Sequence, residues 1–227
     1  MSNKVSEELV GKWLKGWSLS RDLPLPDRYR SGFRVDVGEE KQKTRYVFPE
    51  LNDDFIQLAE TVTELWVYLK VCTSHEELKS LVPERWIFKP EGYMMYCSSP
   101  MSIPDTALPD HYSAEIQCMT PEYFTVKILC NKTEQAAVGR LLIVNDVAIY
   151  DRIVTEEKHR RKGLARIVMA RLEEIAVSKG IFNNFLVATQ QGKLLYESLG
   201  WKLYSRYSSV VIPSLEDKEN VDTALII

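Results

Sequence analysis

Between an apolar stretch that ends at Thr155 and an amphipathic run that begins at Leu164, the chain places Arg160, Arg161, Lys162 and Gly163. A strand, a short basic turn and a helix start in that order make an anion cradle. The first N–H groups of a helix have no intrahelical acceptor, and the helix dipole favours negative charge beside them. Gly163 lets backbone approach a ligand with no Cβ in the way, and Ala165 keeps the next contact small. The basic side chains would add charge-assisted bonds of about 1.5–3 kcal/mol each. Phosphate is the chemistry to expect. Read alone, Lys158 to Lys162 could also serve nuclear import or nucleic acid, but its place between strand and helix favours phosphate. His159 reads as a solvated loop residue.

The elements that must position this turn are legible from periodicity. Alternating or β-branched runs predict strands at Tyr112 to Met119, Tyr123 to Cys130, Ala136 to Val144 and Val147 to Thr155. A helix over Gly163 to Lys179 carries Leu164, Val168, Leu172 and Ile175 on one face, followed by strand Phe185 to Thr189, helix Gln191 to Leu199 and strand Trp201 to Ile212. Upstream, a helix over Leu9 to Trp17 presents Leu9, Val10, Trp13, Leu14 and Trp17 for docking on a core. Then come a hairpin (Phe33 to Val37 with Arg45 to Phe48), a helix from Asn52 or Asp53 to about Val62, and a strand over Leu65 to Val71. A capping box at Ser74 and Glu77 opens another helix that Pro83 ends, and a strand over Tyr93 to Cys97 follows. Pro100, Pro104 and Pro109 mark a linker over Ser98 to Asp110. The domain reading is an α/β unit at 1–104, the cradle domain at 105–215 and a charged tail at 216–227, mobile over Glu216 to Asn220.

Arg160-Arg161-Lys162-Gly163-Leu164-Ala165 resembles the Arg/Gln-x-x-Gly-x-Gly/Ala signature of the GNAT superfamily of acyl-CoA-dependent N-acetyltransferases. Leu195-Tyr196-Glu197-Ser198-Leu199-Gly200-Trp201 is similar to that family's second signature, and the likeness spans about residues 111 to 213. The resemblance implies an α/β (α+β) fold with a mixed, mostly antiparallel sheet flanked by helices, here preceded by a smaller α/β unit. It implies acetyl-CoA as co-substrate, its pyrophosphate on Arg160 to Ala165, and its pantetheine amides on backbone at Ile153 and Val154, where the strand at 147–154 parts from that at 185–189. Thr189 stands where the family often has a cofactor-side asparagine, and Gly192 where alanine is common.

The resemblance also implies Tyr196 as the acid facing the departing sulfur. Asp151 is the leading base, because strand parity puts it on one face with Ile149 and Ile153, whereas Glu156 and Glu157 flank the loop; water could serve for an exposed amine. The activity so implied is acetyl transfer to a primary amine, the alternative a non-catalytic acyl-CoA sensor. A complete family fold places a strand and two helices before the hairpin, and too few residues separate the linker from Tyr112 to supply them. Either the first unit contributes these elements or it is a degenerate copy of the same fold.

A net charge of −3 gives no global field toward nucleic acid or anionic membrane, so the expected partner is a small-molecule or peptide amine. With no signal-peptide layout or long apolar span, the cytoplasm is the expected compartment. Cys72, Cys97, Cys118 and Cys130 read as buried thiols, and His75, His111 and His159 show no ligand spacing, so no metal is expected. The oligomeric state stays open, a homodimer included.

Overall fold

Ser6 accepts a hydrogen bond from the Leu9 N–H (3.2 Å) and so caps α1 (Glu7–Leu19), which buries Val10, Trp13, Leu14 and Trp17. The computed structural model describes residues 5–103 and 107–218. They divide into two compact units: the residues through Met95 with Val187–Lys193 and those from Leu203 onward, and Tyr96–Leu186 with Leu194–Lys202. The boundary expected at 104/105 lies outside the described residues.

After α1 the first unit continues with β1 (Asp27–Tyr29), β2 (Gly32–Glu39), β3 (Gln42–Phe48), α2 (Asp53–Thr61), β4 (Val67–Val71), α3 (His75–Lys79), β5 (Ile87–Phe88) and most of β6 (Gly92–Cys97). Nearly all of β12 (Lys202–Val211) joins it, pairing antiparallel with β4. One sheet face carries Phe48, Leu69, Val71 and Val210, and packs on Phe55 and Leu58 of α2, Leu78 of α3, and Trp86. Each such side chain, fully buried, contributes about 1.5–3 kcal/mol. The other face meets α1, where the rings of Trp13 and Tyr207 stand edge-on at 5.4 Å. Docking of α1 on this core is what its apolar stripe predicts.

The second unit orders its strands β11 (Asn183–Ala188), β10 (Val147–Thr155), β9 (Glu134–Val144), β8 (Tyr123–Cys130) and β7 (Tyr112–Thr120), with α4 (Leu164–Ser178) behind them. α5 (Gln190–Ser198) follows β11. The described residues between Cys97 and Tyr112 hold no helix or strand, yet the segment is anchored: the Met101 N–H donates to Glu173 (2.7 Å) and the Ser102 N–H to the Leu199 carbonyl (3.0 Å). Most of the predicted elements appear within a residue or two; the short strands β1 and β5 were not expected. Cys118 corrects the thiol reading, being exposed on β7. In the tail, Leu215–Lys218 forms the short helix α6, capped by Ser214, and Asp217 pairs with Lys41 at 2.6 Å. Residues 219–220 lie outside the described residues.

One order of elements occurs twice. A hairpin (β2-β3) leads to a helix, a strand parallel to the hairpin's second strand and another helix (α2-β4-α3), and the same order holds for β9-β10-α4-β11-α5. The copies differ where a ligand would enter. In the first, β3 and β4 pair without a break from Thr44 opposite Val67 to Phe48 opposite Val71, and α2 is closed by the Asn52 side chain accepting from the Phe55 N–H (3.2 Å). In the second, neither closure is made.

Candidate functional site

β10 carries the first opening. Its parallel ladder with β11 runs only from Val147 opposite Asn183 to Ile149 opposite Phe185, so its edge beyond Ile149 is free of that ladder. The strands therefore part four residues earlier than expected, the expected place having been Ile153. What sits near Ile153 is a β-bulge. Asp151 faces Arg140 and Val154 faces Val138, leaving Arg152 and Ile153 opposite Gly139 alone, with Arg152 at φ +50°. The extra residue reverses the alternation of side chains. Asp151 shares a face with Arg140, whereas the Ile153 side chain turns to the opposite face, beside Val168 and Leu172 of α4. The parity expectation thus holds for Ile149 with Asp151 and fails for Ile153.

Gly139 makes that packing possible. A Cβ there would stand 2.4 Å from Val168 Cγ1 and 2.7 Å from Ile153 Cδ1. We expect Gly139→Ala to lower stability by about 1–3 kcal/mol through overpacking, read as a shift of the urea midpoint. An unchanged midpoint would mean that the bulge does not depend on this contact. A glycine inside an otherwise β-branched and leucine-rich strand was the one sequence signal for the bulge.

The second opening is at the start of α4. Arg161 (φ +65°) and Gly163 (φ +77°) both take left-handed backbone conformations, and no side chain caps the helix. Among the described residues, none of the backbone N–H groups from Arg161 to Ala165 finds an acceptor. A Cβ built on Gly163 meets nothing within 4 Å, so the glycine faces open space. Uncapped donors, a positive helix end and the exposed Arg160, Arg161 and Lys162 make a site for an oxyanion.

A buried tether fixes this turn, and here the reading of His159 is corrected. Its side chain is buried, 5% exposed overall, in a 3-10 turn (Glu157–His159). Lys162 Nζ donates to the Tyr112 oxygen (2.9 Å), which leaves the Tyr112 hydroxyl to donate to His159 Nδ1 (2.8 Å) and His159 Nε2–H to donate to Glu134 (3.1 Å). Lys158 also pairs with Glu134, and Arg160 Nε donates to the Thr155 carbonyl (3.3 Å). The turn is thereby fastened to β7 and β9. Its partners lie 25 and 47 residues from His159, a separation no local pattern reveals.

Tyr196 lies within electrostatic reach of Asp151. It sits on α5, 7% exposed as a residue, with its ring 6.0 Å from that of Trp201, and its hydroxyl makes no hydrogen bond among the described residues. Burial, with the Asp151 carboxylate nearby as a lesser cause, pushes the phenol above its ordinary range, so it keeps its proton. Asp151 is half-buried, and Val154 is exposed. Thr189 caps α5: its Oγ1 accepts from the Gly192 N–H (2.9 Å) and its carbonyl from the Lys193 N–H (2.8 Å). No group of His, Cys, Asp or Glu able to hold a metal occurs among the described residues, and no described helix is long and apolar enough to cross a membrane.

A parallel pair that parts beside a bulge, ahead of an uncapped glycine-led helix, agrees with the comparison to known families: residues 90–201 match the model of the Acetyltransferase (GNAT) family. This part of the chain is a GNAT-family domain. The GNAT-type architecture reaches beyond it. A GCN5-related N-acetyltransferase from Kribbella flavida superposes with a TM-score of 0.66 at 14% identity, over 93% of this chain and 98% of that one. A tandem GNAT protein from the clavulanic acid biosynthesis pathway gives a TM-score of 0.55 at 11% identity over 90% and 94%. At such identities the likeness is one of fold. In sequence, an uncharacterized Bacillus subtilis (strain 168) protein, YyaT, is 29% identical over 79 residues, which is 35% of this chain and about half (53%) of that protein. GNAT membership and fold together support an acyltransferase.

Proposed function

We propose that the GNAT domain transfers an acetyl group from acetyl-CoA to a primary amine, by direct attack with both substrates bound. The observation that carries this is the row of unpaired N–H groups from Arg161 to Ala165 behind an open Gly163. A cradle of that kind fits the diphosphate of coenzyme A: Arg160, Arg161, Lys162, Gly163, Leu164 and Ala165 would hold it, and Thr189 can still donate its hydroxyl proton. Bound there, the cofactor supplies an acyl group activated as a thioester. The chain's own groups do the rest. Backbone of β10 at Ile153 and Val154, beyond the β11 ladder, offers hydrogen bonds to the pantetheine amides. Tyr196 holds its proton at Oη as a donor to negative charge, and Asp151 is placed to take a proton from an incoming ammonium or to bind it.

The first unit fits a degenerate second copy of the fold. It repeats the order hairpin, helix, parallel strand, helix, but its strands stay paired and its helix is capped. The likeness to the tandem GNAT protein, spanning 90% of the chain, supports this reading. In this reading one cradle serves the whole chain.

Acetyl-CoA with a broad panel of amines tests the proposal. We expect release of free thiol with at least one amine and calorimetric binding of acetyl-CoA without any. Binding with no thiol release across the panel would make the protein an acyl-CoA sensor instead.

A further inference from the structure

Under the C-terminal end of α1, the sheet of the first unit gathers basic groups that the acyl-transfer reading does not use. Arg45 on β3 is buried with its guanidinium carbon over the Trp17 ring at 3.7 Å, and Arg21 lies over the same ring at 4.5 Å. Lys70 on β4 points to the same face, its ammonium between the rings of Tyr68 (5.6 Å) and Tyr207 (5.5 Å). Ladder register fixes this. Arg45 stands beside Tyr68, and Lys70 stands opposite Ser209 of β12, so their side chains share one side of the sheet.

Two features of the cluster call for a counter-ion. Among the described residues the half-buried Lys70 ammonium has neither a hydrogen-bond acceptor nor a carboxylate partner, and desolvation first, then Arg45, Arg21 and Lys89, disfavour its charge. Beside it on the same face, the Ser209 Oγ and the Tyr207 hydroxyl are buried without partners among the described residues. The carboxylates near the cluster's rim, Glu39 toward Tyr68 and Asp217 toward Lys89, do not reach Lys70. Unsatisfied hydroxyls and an unpaired ammonium on one face are costly unless something satisfies them together. A compact oxyanion does so, accepting from all of these donors, with charge-assisted bonds the strongest.

We propose that the first unit binds a small molecule through its carboxylate or phosphate group, held by Lys70, the hydroxyls of Tyr207 and Ser209, and the Arg45 and Arg21 guanidiniums. This site is separate from the α4 cradle and does not depend on the acyl-transfer reading.

Titration of the full chain with inorganic phosphate and with succinate at constant ionic strength tests it, followed by thermal melting and calorimetry. We expect a saturable rise in Tm that survives in Gly163→Asp, where the α4 cradle is silenced, and that Lys70→Met loses, with affinity at least ten-fold weaker. Without anion, Lys70→Met should melt about 2–4 °C higher, because an unpaired buried charge is gone. Tyr207→Phe, which removes only a hydroxyl, should weaken the anion several-fold. Phosphate and succinate together identify which oxyanion is preferred. No saturable shift with either, or a shift unchanged in both Lys70→Met and Tyr207→Phe, overturns the proposal.

Discussion

Gly163→Asp should abolish coenzyme A binding while leaving the protein folded. The position has open space around it and a φ of +77°, so a side chain meets no steric clash and adds only left-handed backbone strain, about 1 kcal/mol. The consequence for a ligand is far larger. A carboxylate among the donors of Arg161 to Ala165 competes for them and repels an incoming diphosphate. At about 5 Å and an effective dielectric constant near 20, each charge pair costs about 3 kcal/mol, which is over a hundred-fold in affinity. Gly163→Asn separates charge from bulk, since asparagine tolerates left-handed backbone and carries no charge. Calorimetry should show binding weakened by about ten-fold in the asparagine variant and undetectable in the aspartate variant. Wild-type affinity in Gly163→Asp, with an unchanged melting curve, would remove the α4 start from the binding site.

Tyr196→Phe should lower turnover about 10- to 1,000-fold and change cofactor affinity only a few-fold. The substitution is clean because the Tyr196 hydroxyl has no hydrogen bond among the described residues, while the ring's packing beside Trp201 is kept. Energetics define the role. With ordinary values near 10 for a phenol and about 8.5 for a thiol, full transfer of the proton to sulfur is uphill by about 2 kcal/mol. Burial raises the phenol further, so transfer is harder still. In the proposed reaction Tyr196 would therefore act by donating a hydrogen bond to sulfur as negative charge grows there, and its own ionisation should leave no limb in the rate profile below pH 10. A split between kcat and KM identifies the effect: kcat falls and KM for acetyl-CoA holds. Equal rates in both proteins would exclude Tyr196 from the chemistry and leave its burial as packing.

These two predictions rest on features of different origin. The anion cradle was legible in the residues themselves. A β-branched run, a basic turn and a glycine before an amphipathic helix specify local geometry through propensity, helix-end donors and permitted φ, all of which act within a few residues. The same locality explains why the capping box at Ser74 and Glu77 and the cap at Asn52 were found where expected. Asp151 and Tyr196 could be named as candidates too, one from its place on the strand and one from its signature.

What the sequence by itself determined is thus the order of strands and helices and the basic, glycine-led turn between β10 and α4, because short-range periodicity and capping dictate them. The bulge at Arg152 and Ile153, the parting of β10 from β11 after Ile149, the burial of His159 between Tyr112 and Glu134, and the basic face around Lys70 were decided by the tertiary structure alone. Each depends on which strand lies alongside and which helix packs above. Such contacts join residues far apart in the chain, and apart from Gly139, which marks the bulge, composition, spacing and periodicity hold no record of them.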